Sequence, residues 1–446
     1  MKFYSILAAS AAAVICLPTP SAFSADWPYF LGTDRLSTSS ETGLNLSWDD
    51  KGPPVLWSLE LNEGFGGAAI VGDEVFFLDR ILGETDQLRA VSLKDGRDLW
   101  KFEFTSAGRL PHPGSRGVPT IEDDAVYFTS GLSHVHRVNR KTHKADWTVN
   151  VAEKYNAESP KWGWAQSPLI IGDILIAAAM GPEVGLVGLN KKTGEEVWTT
   201  EPIGHSHSSP TILTLDGVEQ VLFVSRAFDG DFGTVISVDP KTGKTLWKTD
   251  SYFNKIPIPF ATKIDEERVY MTGGYDCGSC MLRVKRDGDD WTVTKLWEII
   301  EGTQMHPPFL IGEHLYFLMN ENSNHKGEAR KKGGLACMDL DGKTVWNTGT
   351  DPFMGRGGSM LVDGKILVQD GETGYLRVFE VSPKGPKEIA FADVFEKKAE
   401  VDAQIAKQEG KKTIKLPDFK FWSPMALSEG RLIMRGQTKM KCLDLR

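Results

Sequence analysis

The residues best equipped for chemistry are few and widely spaced. Cys277-Gly-Ser-Cys280 has the spacing of a redox or metal pair. A four-thiolate zinc site needs a second such pair, and a redox-active motif normally opens a helix, whose N-terminus lowers the thiol pKa. Here the motif falls between two apolar runs, so a local disulfide or two free thiols is the expectation, without redox or metal function. His205-Ser-His207 and His306 each stand just ahead of an apolar run, as do Arg116, Trp162, Trp164, Phe260, Arg356 and Trp422. No Gly-x-Ser-x-Gly elbow occurs, so nucleophilic catalysis by serine has no motif and the catalytic residues stay unassigned. Imidazoles, indoles and guanidiniums could do binding chemistry if the fold gathered them, which turns the question to the elements that carry them.

Those elements are hairpins. Val235-Ile-Ser-Val-Asp-Pro-Lys-Thr-Gly-Lys-Thr-Leu-Trp247 is an apolar run, a tight turn and a second run closing on tryptophan. Leu186 to Trp198 repeats it, and Leu335 to Trp346 and Leu88 to Trp100 are copies with shorter turns. Glycine supplies the positive φ that such a turn demands. Aligning the closing aromatics gives Trp57, Trp100, Trp147, Trp198, Trp247, Trp297, Trp346 and Phe395, a spacing of about 45 to 50 residues that suits four-stranded propeller blades. A second series agrees, with turns such as Gly72-Asp73, Gly172-Asp173, Asp363-Gly364 and Ser428-Glu-Gly430 between apolar strands ahead of the hairpins.

The ends explain each other. The last repeat stops at Met440-Lys-Cys-Leu-Asp-Leu-Arg446, a third strand, while Val55-Leu-Trp-Ser-Leu-Glu-Leu61 is a fourth strand with no blade of its own. Pairing the two closes the ring and leaves no bare sheet edge. The predicted fold is all-β: an eight-bladed propeller of four-stranded antiparallel blades over 55–446, with the tryptophans docking blade to blade. Residues 25–54 form an irregular leader packed over the ring. Cys337 and Cys442 fall at equivalent third-strand places and read as small buried apolar residues.

The Asp-x-x-Thr-Gly-Lys-x-x-Trp hairpins resemble those of the pyrroloquinoline-quinone-like β-propeller repeat family, over nearly the whole chain after its first residues. The resemblance implies an eight-bladed ring and is far less specific for activity, since similar rings serve as quinoprotein alcohol dehydrogenases, as the outer-membrane-protein assembly lipoprotein and as sensor domains. It also implies what a quinone (PQQ)-dependent site would need: an adjacent-cysteine disulfide, calcium held by acidic and amide side chains, and a catalytic aspartate. The chain has no Cys-Cys pair, and Asp229, Asp231, Asp276 and Glu372 lie scattered among glycines in second-to-third-strand loops, where solvated turn residues are the expectation. No cofactor and no metal is therefore predicted.

Address and composition narrow the role. Residues 1–24, one lysine followed by an apolar stretch ending at Ala22-Phe-Ser24, read as a cleaved signal peptide and predict a secreted or periplasmic chain without a membrane span. Bulky Ile15 before Cys16 spoils a lipid-attachment site. A formal charge of −9 excludes a nucleic-acid footprint. Forty-five glycines and thirteen tryptophans against five cysteines describe a turn-rich β protein without a disulfide framework. Two insertions stand out: the polar loop Asn320 to Gly334, and 396–420, whose Ala/Glu/Lys/Gln content favours helix with Val401 and Ile405 on one face. The working surface is expected where connections enter each first strand, since they converge beside the axis. That face would gather Arg116, Trp162, Trp164, His205, His207, His306, Arg356 and Trp422. Such a mouth on an acidic monomer suits a protein segment or a small anionic or sugar-like ligand, the non-catalytic scaffold being favoured over a rearranged dehydrogenase.

Overall fold

The computed structural model describes residues 26–49, 51–81, 83–228, 233–319, 333–349, 352, 354–408 and 419–446. Eight antiparallel sheets succeed one another in chain order. Blade 1 begins at Ala68–Val71, blade 2 at Thr120–Glu122, blade 3 at Leu169–Ile171 and blade 4 at Thr211–Leu215. Blades 5 to 8 begin at Thr262–Lys263, Phe309–Ile311, Gly358–Val362 and Ala426–Ser428. Within each blade the four strands follow one another in order from axis to rim.

Blade 8 closes the ring as the chain ends require. Val55–Glu60 pairs antiparallel with Lys439–Asp444, Trp57 opposite Cys442 and Leu59 opposite Met440. The first and last strands of the ring are thus hydrogen-bonded neighbours, and the sheet edge that either alone would expose is covered.

The hairpin turns hold the blades to each other. In blade 4, Asp239 Oδ1 accepts from the N–H groups of Lys241 and Thr242 at 2.9 and 2.8 Å, and Gly243 takes φ +69°. The indole of the preceding blade then lies on that glycine: Trp198 Nε1 donates to Pro240 O at 3.1 Å, and a Cβ on Gly243 would strike the Trp198 ring. Trp57, Trp147, Trp297 and Trp346 likewise donate to turn carbonyls of the next blade, at Leu93, Lys191, Leu340 and Ser382. Trp100 instead stacks on His143 of the next turn, ring centroids 4.6 Å apart, and donates to Glu74. Trp247 faces the long hairpin of blade 5, Gly278–Asp287 and Asp290–Ile299, and turns inward to the buried Gln220 carbonyl at 2.7 Å.

Blade 7 corrects the eighth anchor. In blades 3 and 7 alike the fourth strand bulges at one residue, and the residue after the bulge is Trp198 in one and Ala390 in the other. Phe395 lies beyond the strand and packs on Phe421, centroids 4.7 Å apart. The reason is topological: the third and fourth strands of blade 8 come from opposite chain ends, so no hairpin turn exists there for an indole to dock against. The segment joining the leader to Val55 covers that junction, with Trp48 Nε1 donating to Phe391 O and Asp444 N to Pro54 O, both at 2.8 Å.

The leader does more than pack over the ring. Trp27 bridges to Ile70 in the first strand of blade 1, and Ile121 N donates to Pro28 O from that of blade 2. Thr38–Ser39 then adds a parallel strand inside Gly358–Val362 of blade 7. Glu41 accepts from the N–H groups of Glu429 and Gly430 in blade 8. These partners stand at the inner strands and the tight turns following them, so the leader fills the axis from the tight-turn side.

Cys277 and Cys280 are not joined to each other, and Cys280, Cys337 and Cys442 are buried thiols, so the disulfide alternative gives way. Cys280 is a strand residue aimed into the core beside Met271 and Leu282, whereas Cys277 lies in the turn before that strand and accepts from Lys255 N–H at 3.1 Å. A helix occupies Lys398–Ala406 with Val401 buried. The signal-peptide reading at 1–24 with Cys16, most of the 320–334 loop, Asp229 and Asp231, and 409–418 fall outside the described residues.

Candidate functional site

With the tight-turn end of the axis filled, the other end is the place to look. The connections that enter the first strands meet there and are tied to each other before any side chain is considered. Phe65 N and Gly66 N both donate to Ser115 O, and Ser115 Oγ donates to Leu78 O. Gly114, at φ +101°, lets the two connections of blades 1 and 2 touch, since a Cβ there would overlap the backbone of Glu63.

On this backbone the rings form one layer. Trp422 stacks on Phe65 with centroids 5.6 Å apart and planes 26° apart. His112 meets Trp422 and Phe65 edge-on at 5.9 and 6.1 Å. Trp162 continues the layer, 6.2 Å from His112, 5.2 Å from His207 and 6.2 Å from Tyr275. Three cations lie on its faces: Arg356 sits 4.7 Å from the Trp422 centroid, Arg116 5.7 Å from Phe65 and Lys161 5.2 Å from Trp162. Cations so placed are attracted by the negative ring faces and keep the aromatic planes in register.

Charge and protonation follow from burial. Arg116 donates only to the carbonyls of Gly114 and His112, and among the described residues it has no carboxylate within 4.0 Å. Burial pulls its guanidinium down to about 10, with Arg80 adding to the effect and Glu63 opposing it, so it is cationic at neutral pH. His207 and His306 are both pulled down to about 4, chiefly by burial, and are neutral there. Burial raises Tyr275, against the charge of Arg356. Arg356 Nε donates to Glu372 Oε1 at 2.9 Å, and Asp370 Oδ1 gathers the N–H groups of Gly355, Glu372 and Thr373 beneath it. Burial raises Asp370 as well. Below the rings, His306 Nδ1, Gln304 Oε1 and Trp422 Nε1 are buried and find no hydrogen-bond partner among the described residues.

The structure brings some of the expected residues together and not others. Arg116, Trp162, His207, Arg356 and Trp422 come together, and His306 lies just beneath them against Gly358. Trp164 does not join: it is 2% exposed in the core of blade 3 and donates to Ala178 O at 3.2 Å. His205 turns away to Phe228, centroids 4.9 Å apart, and bridges to Arg226. In both pairs the connection is irregular rather than extended, so residues two apart do not share a face, and one reaches the axis while the other is taken elsewhere. Four members were missed, among them Lys161, which lies beside Trp162 in the chain. Phe65 holds the equivalent place before blade 1 and was legible from the repeat; His112 lies four residues before Arg116. Tyr275 comes from the second-to-third-strand loop of blade 5, where Tyr275 and Asp276 take φ 61° and 63°, a left-handed pair that only the fold reveals.

Among the described residues the site does not offer the donor set of a calcium–quinone pair. The chain has no adjacent cysteines, and no group of three or more His, Cys, Asp or Glu able to hold a metal ion exists among the described residues. Of the loop acids within those residues, Asp276 is exposed and Glu372 is engaged by Arg356.

An eight-bladed propeller built from PQQ-like repeats, with one axial end filled and an aromatic mouth at the other, is the class of protein that fold and site define. The chain belongs to the PQQ_2 family, described as outer membrane protein assembly factor BamB, whose profile matches residues 18–248, 84–348 and 183–404 in overlapping stretches. Among curated proteins it is similar to quinoprotein alcohol dehydrogenase PedH of Pseudomonas putida, 24% identical over 165 residues, 36% of this chain and 27% of that protein. It is also similar to a quinoprotein ethanol dehydrogenase of Pseudomonas aeruginosa, 25% identical over 156 residues, 33% and 24% of the respective lengths. The matched stretch thus spans about a quarter of those relatives. Among solved structures, BamB of Moraxella catarrhalis superposes with a TM-score of 0.55 at 13% identity, covering 88% of this chain and 98% of that one. Quinohemoprotein alcohol dehydrogenase ADHIIG of Pseudomonas putida HK5 gives 0.57 at 10% identity, with 94% and 80% covered. At these identities the superpositions speak for the fold alone.

Proposed function

We propose that the chain is an exported, secreted or periplasmic, binding scaffold without catalytic machinery, whose mouth takes an acidic segment of a partner protein or a small anionic or sugar-like ligand. The observation that carries this reading is the continuous ring layer bearing Arg116 and Arg356 on its faces. Rings that already touch present a broad face, which suits an extended segment laid across them, and a desolvated cation without a carboxylate favours negative charge in that segment. The family description, an outer-membrane assembly factor, supports the protein-partner form of the reading.

A decaglutamate peptide and maltotriose are suitable probes, titrated by calorimetry against the mature chain. Saturable binding of the peptide that weakens with salt, and that falls about tenfold or more in Trp422→Ala and Arg116→Ala, is the expected result. Binding of neither probe, or binding indifferent to both substitutions, overturns it.

A second reading, a quinone-dependent alcohol or sugar dehydrogenase with a rearranged site, draws on the quinoprotein relatives. Reconstitution with pyrroloquinoline quinone and calcium distinguishes it. Stoichiometric quinone absorbance with dye reduction on adding ethanol or glucose would replace the scaffold by the enzyme.

A further inference from the structure

The filled end of the axis holds a charge with no partner. Arg35 lies in the leader, its guanidinium 4.0 Å from the Tyr29 centroid, and its side chain makes no hydrogen bond and no ion pair within 4.0 Å among the described residues. Burial pulls it down to about 10, which leaves it protonated at neutral pH. The acid it feels, Glu122, is already held by Lys191 at 2.9 Å. A half-buried cation so placed, with no carboxylate paired to it among the described residues, favours an anion at its side.

Arg35 opens on a small cavity between the leader and the inner strands of blades 3 to 5, walled by Phe30 and Phe260 and floored by Ser167, Ser209 and Thr211. Its volume, about 10 Å3, has room for one water-sized sphere. Each serine oxygen already accepts one hydrogen bond: Val118 N–H donates to Ser167 Oγ, and Ser167 N–H to Ser209 Oγ, each at 3.0 Å. Their hydroxyl hydrogens remain to be given, and the Thr211 hydroxyl has no partner among the described residues. No carboxylate lines the space. The leader also holds Leu31, Arg35 and Ser37 at φ 62°, 61° and 58°, left-handed values that side-chain-bearing residues adopt only under constraint.

We propose that this cavity binds one monatomic inorganic anion, of which chloride is the available kind, held by the Arg35 guanidinium and the Ser167 and Ser209 hydroxyls. The anion neutralises the axis and pins the leader into the ring. The Arg35 charge in a lining without a carboxylate selects against cations, and the volume excludes phosphate and sulfate.

Two measurements test this. Crystals grown in bromide should show an anomalous peak between Arg35 and the two serines; density for water alone at that place overturns the proposal, and this arm uses the unaltered protein. Melting at constant ionic strength is the other. Replacing gluconate by chloride up to about 200 mM should raise Tm saturably by about 2 °C, an effect retained in Arg35→Lys and lost in Arg35→Met. Equal melting in the two salts, or an undiminished chloride effect in Arg35→Met, counts against it.

Discussion

At the residue scale the protein keeps several histidines dry. His306 is 6% exposed with its Nδ1 unpartnered, and His136 is 1% exposed between Phe104 and Phe128, ring centroids 4.2 and 4.7 Å away. Burial pulls the first down to about 4 and the second to about 3 from an ordinary 6.5. The unfolded chain therefore binds these protons at a higher pH than the folded chain does. Their neutral burial favours folding fully above pH 6.5, and that contribution is lost as pH falls from 6.5 toward the folded values. Between pH 6.5 and 5 His306 alone should account for about 2 kcal/mol of lost stability. Chemical denaturation across that range should show a slope that flattens by about one proton in His306→Gln; an unchanged slope would mean that His306 titrates normally.

At the scale of the element, the unit of stability is a hairpin turn of one blade gripped by the indole of the blade before it. Trp247 departs from the pattern because the long blade 5 hairpin presents strand where other blades present a turn, and Gln220, 0% exposed, supplies the acceptor from within blade 4. Trp247→Ala should cost about 3 to 5 kcal/mol, read by denaturant midpoint, since it empties an indole-sized space and leaves the Gln220 carbonyl with Ser237 Oγ as its remaining donor. Lys244→Ala, at an exposed turn position, should change stability by less than about 0.5 kcal/mol. Comparable small effects at the two sites would mean that Trp247 is not the buried core residue described. Ala390 makes the converse point: where the next blade has no hairpin turn the tryptophan is missing as well, and Trp48 of the leader covers the strand instead.

For the whole molecule, closure and filling of the axis are both the work of the N-terminal region. Val55–Glu60 gives blade 8 its outer strand, and the leader threads inward to bridge blades 1, 2, 7 and 8. Removing the chain through Leu61 should leave Lys439–Asp444 as a bare edge and uncover the blade 1 turn under Trp57. The expected outcome is aggregation or a loss of at least about 5 kcal/mol. A truncated protein melting within about 2 °C of the full chain would show that the ring does not depend on this closure.

What the residues alone determined is the part encoded by local pattern. Strand alternation, Asp-x-x-Thr-Gly turns and a tryptophan at each repeat are short-range signals, so blade number, strand order and the pairing of Val55–Glu60 with Lys439–Asp444 could be read in advance. The general position of the mouth followed too, because every first-strand connection must open on one face. What tertiary structure alone decided is which way each side chain points. Irregular connections have no period to follow, so nothing in His205-Ser-His207 or Trp162-Gly-Trp164 tells which member reaches the axis and which is taken by its own blade. Phe395 misleads because the residue at the anchor place of blade 7 is Ala390, which carries no aromatic signal, and Phe395 is the next aromatic after the fourth strand. The path of the leader into the axis, and with it the partnerless Arg35, rests on contacts between residues some hundreds of positions apart, such as Ser37 with Ser359 and Glu41 with Gly430, which exist only once the ring has closed.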